Sequence, residues 1–206
     1  MTGAVYIKTY DAPPYDTREV LRYAGAKNPT DEIVALMQEC INEVGDRLTY
    51  KVCYADYLVE VCDEEINLTF AKTNSRDLKK NLKNCESVVL FAATVGLEID
   101  RLIAKYSRIS PSKALMFQAV GTERIEALCN MFNKEIKERM HLHGKHTRPR
   151  FSPGYGDLPL ELQQSIFKAL DCPRKIGISL NESLLMSPTK SVTAIIGIAR
   201  DNGEDK

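Results

Sequence analysis

Ser87-Val88-Val89-Leu90-Phe91-Ala92-Ala93-Thr94-Val95 is an apolar run of strand length, closed by Gly96. A run with no polar alternation belongs in the interior of a sheet. Upstream, Tyr50, Val52, Tyr54 and the stretches 57–61 and 66–70 are aromatic and β-branched, which predicts strands separated by a turn at Asp63-Glu64-Glu65. Before them, Ile33, Leu36, Met37, Cys40, Ile41 and Val44 recur at helical spacing between Thr30, a candidate N-cap, and Gly45. A shorter helix is predicted over 17–24, capped by Thr17 and ended by Gly25, behind an irregular start that carries Pro13-Pro14. Ser75 caps a polar helix to about residue 84. Downstream, 97–106 reads as a helix, and a long amphipathic helix runs over 112–142 until Gly144 stops it. A Pro- and Gly-containing loop follows, then a helix over 158–170 and strands over 175–180 and 192–198. Helices and strands in this mixed order lack the βαβα alternation of a doubly wound sheet. The expectation is an α+β fold with a largely antiparallel sheet, as a single domain over residues 1–206.

Bulk composition excludes several function classes. Lys plus Arg number 28 and Asp plus Glu 28, so no global field favours nucleic acid or an anionic membrane. No stretch approaches the roughly 18 apolar residues that cross a bilayer, and the N-terminus has no signal pattern, so a cytoplasmic protein is expected. The six cysteines form no CxxC pair and sit mostly in apolar stretches, which reads as reduced, buried thiols. His141, His143 and His146 include an HxH spacing, but without a nearby Cys or acidic run they are assigned to a basic helix end, and no metal is expected. From 134 to 150, six Lys or Arg stand against two Glu, either a docking face for an acidic partner or phosphate, or a solvated helix end. GxSxG, Walker A, HExxH and GxGxxG patterns are all missing, so no catalytic residue is assigned.

The loop after the long helix carries the chemistry. Arg150-Phe151-Ser152-Pro153-Gly154-Tyr155 sets an arginine four residues before a Gly-Tyr pair, across a proline that stiffens the backbone. A guanidinium matches a carboxylate bidentately, Gly154 lets a ligand approach the main chain, and Tyr155 offers a stacking face with a polar tip. Arg150 could instead cap the long helix or pair with a protein carboxylate, and Tyr155 could be a packed turn residue.

RFSPGY, followed by Ile176-Gly177-Ile178-Ser179-Leu180-Asn181-Glu182-Ser183 and then by Met186-Ser187-Pro188 and Ser191-Val192, resembles the activation domain of cobalamin-dependent methionine synthase. That family carries RxxxGY, LTES-like and MxPxxSV motifs in this order. The resemblance spans about 111–198. It implies a curved antiparallel sheet flanked by helices, with S-adenosylmethionine bound by Arg150, Phe151, Gly154 and Tyr155. Within Phe117-Gln118-Ala119-Val120-Gly121-Thr122-Glu123-Arg124-Ile125-Glu126-Ala127, Glu126 matches the family's acidic position, with Glu123 the competing choice and a solvated or salt-bridged glutamate the plain alternative. Glu182 and Ser183 are carried over as residues that shape the site.

The chain departs from the family in three places. It has no tryptophan, so the aromatic acidic motif that holds the donor's ammonium has no counterpart, and Asp11 and Asp16 are the candidates. Gly156-Asp157-Leu158-Pro159 stands where the family continues with Cys and His, and Lys206 comes soon after the last strand. The resemblance implies a reactivation module for a corrinoid-dependent methyltransferase. Cobalamin would sit on a partner methionine synthase or related corrinoid protein, a flavodoxin or ferredoxin would donate the electron, and S-adenosylmethionine would remethylate cob(II)alamin. The alternative is a corrinoid-protein interaction module that no longer binds S-adenosylmethionine. A free-standing methyltransferase is disfavoured by the lack of a general base or nucleophile.

Overall fold

The computed structural model describes residues 4–200. Along the chain run β1 (Tyr6–Tyr10), α1 (Thr17–Tyr23), α2 (Asp31–Val44), β2 (Tyr50–Leu58), β3 (Glu60–Val61), β4 (Ile66–Asn67), β5 (Lys72–Thr73), α3 (Arg76–Asn81), β6 (Cys85–Thr94), α4 (Glu98–Tyr106), α5 (Pro111–His141), β7 (Lys145–Thr147), α6 (Leu162–Leu170), α7 (Cys172–Ile176), β8 (Ser179–Leu180), β9 (Met186–Ser187) and β10 (Ser191–Arg200). Five strands form one curved sheet in the order β1-β2-β6-β10-β7, with every neighbouring pair antiparallel.

The central strand β6 explains the apolar run that anchors the fold. Val89, Phe91, Ala93 and Val95 join the core beneath α1, α2, α4 and α5, while Val88, Leu90 and Ala92 join a second core beneath α3, α6 and α7. Both faces are covered, so neither can alternate with polar residues. β2 and β10 divide in the same way, Tyr50 and Val52 against Cys53, Ala55 and Tyr57, and Ala194, Ile196 and Ile198 against Ile195.

α5 is 31 residues long, with Pro111 in its first turn, where a missing N–H costs nothing. It crosses the first face and packs against α1, α2 and α4. Gly121, in its middle, marks the closest approach: a Cβ there would lie 2.6 Å from Ile99 Cγ2 on α4 and 3.0 Å from the Lys190 side chain. Gly197 does the same for the other face, where a Cβ would lie 2.7 Å from Leu82 Cδ2 and 2.7 Å from Cys85 Sγ.

Several expected boundaries shift. The irregular start contains edge strand β1, whose residues are mostly exposed and so lack an apolar signature. Asp16, not Thr17, caps α1, accepting from the backbone N–H groups of Arg18 and Glu19. Thr30 precedes α2 without a side-chain cap. Of the strand expected over 175–180, Lys175 and Ile176 close helix α7, which Gly177 ends at φ 74°, and only Ser179–Leu180 is extended. The polar helix ends at Asn81, ahead of Asn84 in the left-handed region at φ 62°. β7, at the other sheet edge, pairs only with the last three residues of β10. All six cysteines are free, with Cys62 exposed and Cys85 half-buried.

Candidate functional site

The RFSPGY loop leaves β7 and stays against the sheet edge for one more contact. Phe151 and Ile195 exchange both backbone hydrogen bonds at 2.9 Å. Pro153 is buried and turns the chain. Gly154 then takes φ 84°, a region costly for any residue with a Cβ, and its N–H donates to Leu158 O at 2.9 Å. The Tyr155 N–H donates to Ser152 O at 3.1 Å, closing a tight turn.

α3 fastens this loop at both ends. At the start, Asn81 Nδ2 donates to Pro149 O at 3.0 Å and Arg148 Nη2 to Lys83 O at 3.2 Å. At the far end, the Asp157 carboxylate accepts from the Ser75 hydroxyl and from the N–H groups of Arg76 at 2.8 Å and Asp77 at 3.2 Å. The Ser75 hydroxyl is the strongest of the contacts that hold the Asp157 carboxyl below its usual value. Gly156, at φ 53°, lets the two segments approach closely, since a Cβ would lie 2.5 Å from Asp77 Oδ2 and displace that side chain. The Gly156-Asp157 departure is thus a second clamp on the loop.

Arg150, held between these clamps, meets Glu126 of α5. Its Nη2 donates to Glu126 Oε2 in a short ion pair, with the side chains 24% and 35% exposed. Its Nη1 is buried with no hydrogen-bond partner. Of the alternatives considered for Arg150 and Glu126, the one present in this structure is pairing with a protein charge, each being the other's partner. Two neighbours sense it, and the sequence pattern had singled out neither. Burial pushes the Cys129 thiol up to about 12, with Arg150 and Glu126 close enough to shift it in opposite directions. Burial also raises the Tyr23 phenol at the end of α1, and Glu126 adds to that effect. Cys129 lies one turn beyond Glu126 on α5, a signal that helical spacing contained.

Glu123 has a different task. It is 4% exposed and pairs with the fully buried Arg124, at 2.5 Å to Nε and 2.6 Å to Nη2. Arg124 also donates to the carbonyls of Pro13 and Pro14 and stacks 3.7 Å from the centre of the Tyr15 ring. The Asp16 N–H donates to Glu123 Oε1 at 3.2 Å. This cluster pins the segment before α1 to α5.

The remaining candidates are spread more widely. Tyr155 is 73% exposed, sits edge-on to Phe151 at 6.2 Å, and its hydroxyl has no hydrogen-bond partner among the described residues. Phe151 is half-buried against the second core. Glu182 and Ser183 lie in the exposed β8–β9 turn, shaped by Asn181 Oδ1, which accepts from the N–H groups of Ser183 and Leu185 at 2.9 Å. No hydrogen bond or ion pair joins them to Arg150 or Glu126 among the described residues. Asp16 is used as a helix cap, and Asp11 lines a separate hollow at the end of β1. No group of three or more metal-ligating side chains occurs among the described residues, nor any helix long and apolar enough to cross a membrane.

Chemically, a guanidinium beside a carboxylate, next to a glycine backbone, complements the zwitterionic end of an α-amino acid.

Comparison with known proteins sharpens this. No curated protein matches the chain. Among solved structures, the crystal structure of the MetH reactivation domain bound to AdoHcy superimposes with a TM-score of 0.67 at 14% identity, covering 94% of this chain and 78% of that one. Residues 24–202 match the family described as vitamin B12 dependent methionine synthase, activation domain, which carries the likeness well upstream of the motifs that first suggested it. The chain belongs to the family of activation domains of vitamin B12-dependent methionine synthase.

Proposed function

We propose that this chain is a reactivation module that binds S-adenosylmethionine and presents it to a cob(II)alamin held by a partner methionine synthase. The observation that carries the reading is the Arg150 guanidinium, with Nη2 held by Glu126 and Nη1 buried without a partner. A buried donor left unpaired costs about 1–3 kcal/mol, which a ligand carboxylate would offset. The residues therefore fit the amino-acid end of S-adenosylmethionine, with Arg150 on its carboxylate, Glu126 on its ammonium and the Gly154–Tyr155 turn alongside. Glu182 and Ser183 would border the site from the β8–β9 turn.

When bound, S-adenosylmethionine would supply the methyl group for a cobalt held by the partner, with the reducing electron coming from a reduced flavodoxin or ferredoxin. The nucleophile and the electron thus both reside on partners. On this reading the chain's own residues bind and orient the donor and exclude water. Tyr155, exposed and unpaired at its hydroxyl, lies where a partner would meet the site.

Isothermal titration with S-adenosylmethionine and with S-adenosylhomocysteine tests the reading. Saturable binding of both is expected. Failure of either to bind would replace the proposal with that of an interaction module for a corrinoid protein, a reading favoured by the use of Asp16 as a helix cap rather than an ammonium ligand.

A further inference from the structure

Lys190 lies in Met186-Ser187-Pro188-Thr189-Lys190-Ser191-Val192, at one of the two positions that the MxPxxSV pattern leaves open, and the proposed chemistry does not use it. Its backbone is fixed from both sides. The Val95 N–H donates to Lys190 O at 3.2 Å, the Ser191 hydroxyl to Thr94 Oγ1 at 2.9 Å, and Asp100 on α4 accepts from the Thr189 N–H at 2.9 Å and from the Thr189 hydroxyl. From this base the side chain runs across α5 at Gly121, where a Cβ would lie 3.0 Å from both its Cγ and its Cε. Its Nζ then donates to the Thr122 hydroxyl at 3.0 Å, and that hydroxyl donates onward to Gln118 O at 2.8 Å.

An ammonium carries three N–H donors. One goes to Thr122, and the others have no partner among the described residues. Asp100, the carboxylate whose charge reaches Lys190, is occupied by Thr189 and forms no ion pair with it. Burial is the larger influence on the ammonium and lowers its pKa, with Asp100 opposing. A half-buried cation held by a hydroxyl alone is costly, and a ligand acceptor would offset that cost.

Its place relative to the Arg150–Glu126 pair decides which ligand atoms it would meet. Thr122 precedes Glu126 by one helical turn, about 6 Å along α5, and both residues are half-buried. One turn the other way Cys129 is fully buried, so a ligand anchored at Arg150 and Glu126 is closed off on that side and free to extend toward Thr122. In S-adenosylmethionine the methionyl chain and its sulfur separate the ammonium from the ribose by a comparable length. The sulfonium is positive and a lysine would repel it, whereas the ribose hydroxyl oxygens are acceptors. We infer that Lys190 is a further binding residue of the donor site, its ammonium donating to the ribose hydroxyls of the S-adenosyl group, and this rests on the donor-binding reading.

Calorimetry on the full chain with S-adenosylhomocysteine and with its 2′,3′-dideoxyribose analogue tests the contact. Lys190→Met keeps the apolar stem across Gly121 and removes the ammonium. It should bind S-adenosylhomocysteine about 10-fold more weakly than wild type, with a urea midpoint no lower, while the dideoxy analogue, which lacks the acceptors, binds both proteins alike. Thr122→Val frees the ammonium from α5 and should show the same selective loss to a smaller degree. If Lys190→Met does not fold, Thr122→Val carries the comparison. Equal affinity of wild type and variant for S-adenosylhomocysteine would overturn the assignment. So would an equal loss with both ligands, which marks a structural role or a contact with the amino-acid end. Both of those outcomes leave the donor site standing, whereas failure of the wild type to bind S-adenosylhomocysteine would overturn the donor site and the role of Lys190 with it.

Discussion

Arg150 holds a protein carboxylate with one nitrogen and leaves the other buried and unpaired. Replacing it by Ala should weaken S-adenosylmethionine binding by about 1.5–3 kcal/mol, roughly 10- to 150-fold, and Lys should recover little because it lacks the planar fork. Unchanged affinity in calorimetry, with the circular dichroism spectrum intact, would remove Arg150 from the site. The two glutamates on α5 should separate by readout. Glu126→Gln should lower S-adenosylmethionine affinity and leave the urea midpoint alone. Glu123→Ala breaks a buried pair and should cost about 3–5 kcal/mol of stability. Equal stability losses in both would contradict this division. Sequence motifs pointed to Arg150, Gly154 and Glu126, but not to Glu123's structural task, because its partner segment, 13–16, lies more than 100 residues away and carries no periodic pattern.

At the scale of elements, α5 organises the first face, and its packing depends on a glycine. Gly121→Ala would gain helix propensity of up to about 1 kcal/mol but place a methyl group 2.6 Å from Ile99 Cγ2, and such overpacking costs about 1–3 kcal/mol. A net loss of stability is expected in urea unfolding, and a stabilised variant would show that α4 yields easily. The junction of α2, α4 and α5 is electrostatic. Partial desolvation opposes ionisation of Glu43, but hydrogen bonds from Lys113, Lys105 and Tyr106 outweigh it and hold the carboxyl at about 2, against a usual 4.5. A depressed carboxyl stabilises the fold above its unfolded pKa, and that contribution is lost as pH falls from about 4.5 through about 2. Glu43→Gln should therefore be less stable at pH 7, with the two unfolding curves converging below pH 3. Parallel curves would contradict the assignment. Strongly patterned elements such as α2, α5 and β6 were legible in the sequence. The edge strands β1 and β7 were not, because their pairing partners rather than their own residues define them. The start of the strand expected over 175–180 was misread because Lys175 and Ile176, taken with the apolar Ile178 and Leu180, fit a strand as well as the end of a short helix.

For the whole molecule, the proposed reading makes the Arg150–Glu126 pair and the exposed Tyr155 what the chain presents to a partner. On that reading its function appears in what it does to the partner, which it can shift only by its differential affinity for the partner's states. The fold class could be read from the order of elements and the cover on both faces of β6. The relation between α3 and the Arg150 loop could not, since it joins segments about 70–80 residues apart through caps and carbonyl contacts. The most direct measurement uses a methionine synthase lacking its own activation domain, inactivated by cobalt oxidation. Turnover should return when this chain, S-adenosylmethionine and a reduced flavodoxin or ferredoxin are added together, and with no two of them. Equal recovery without S-adenosylmethionine, or none with all three, would contradict the account.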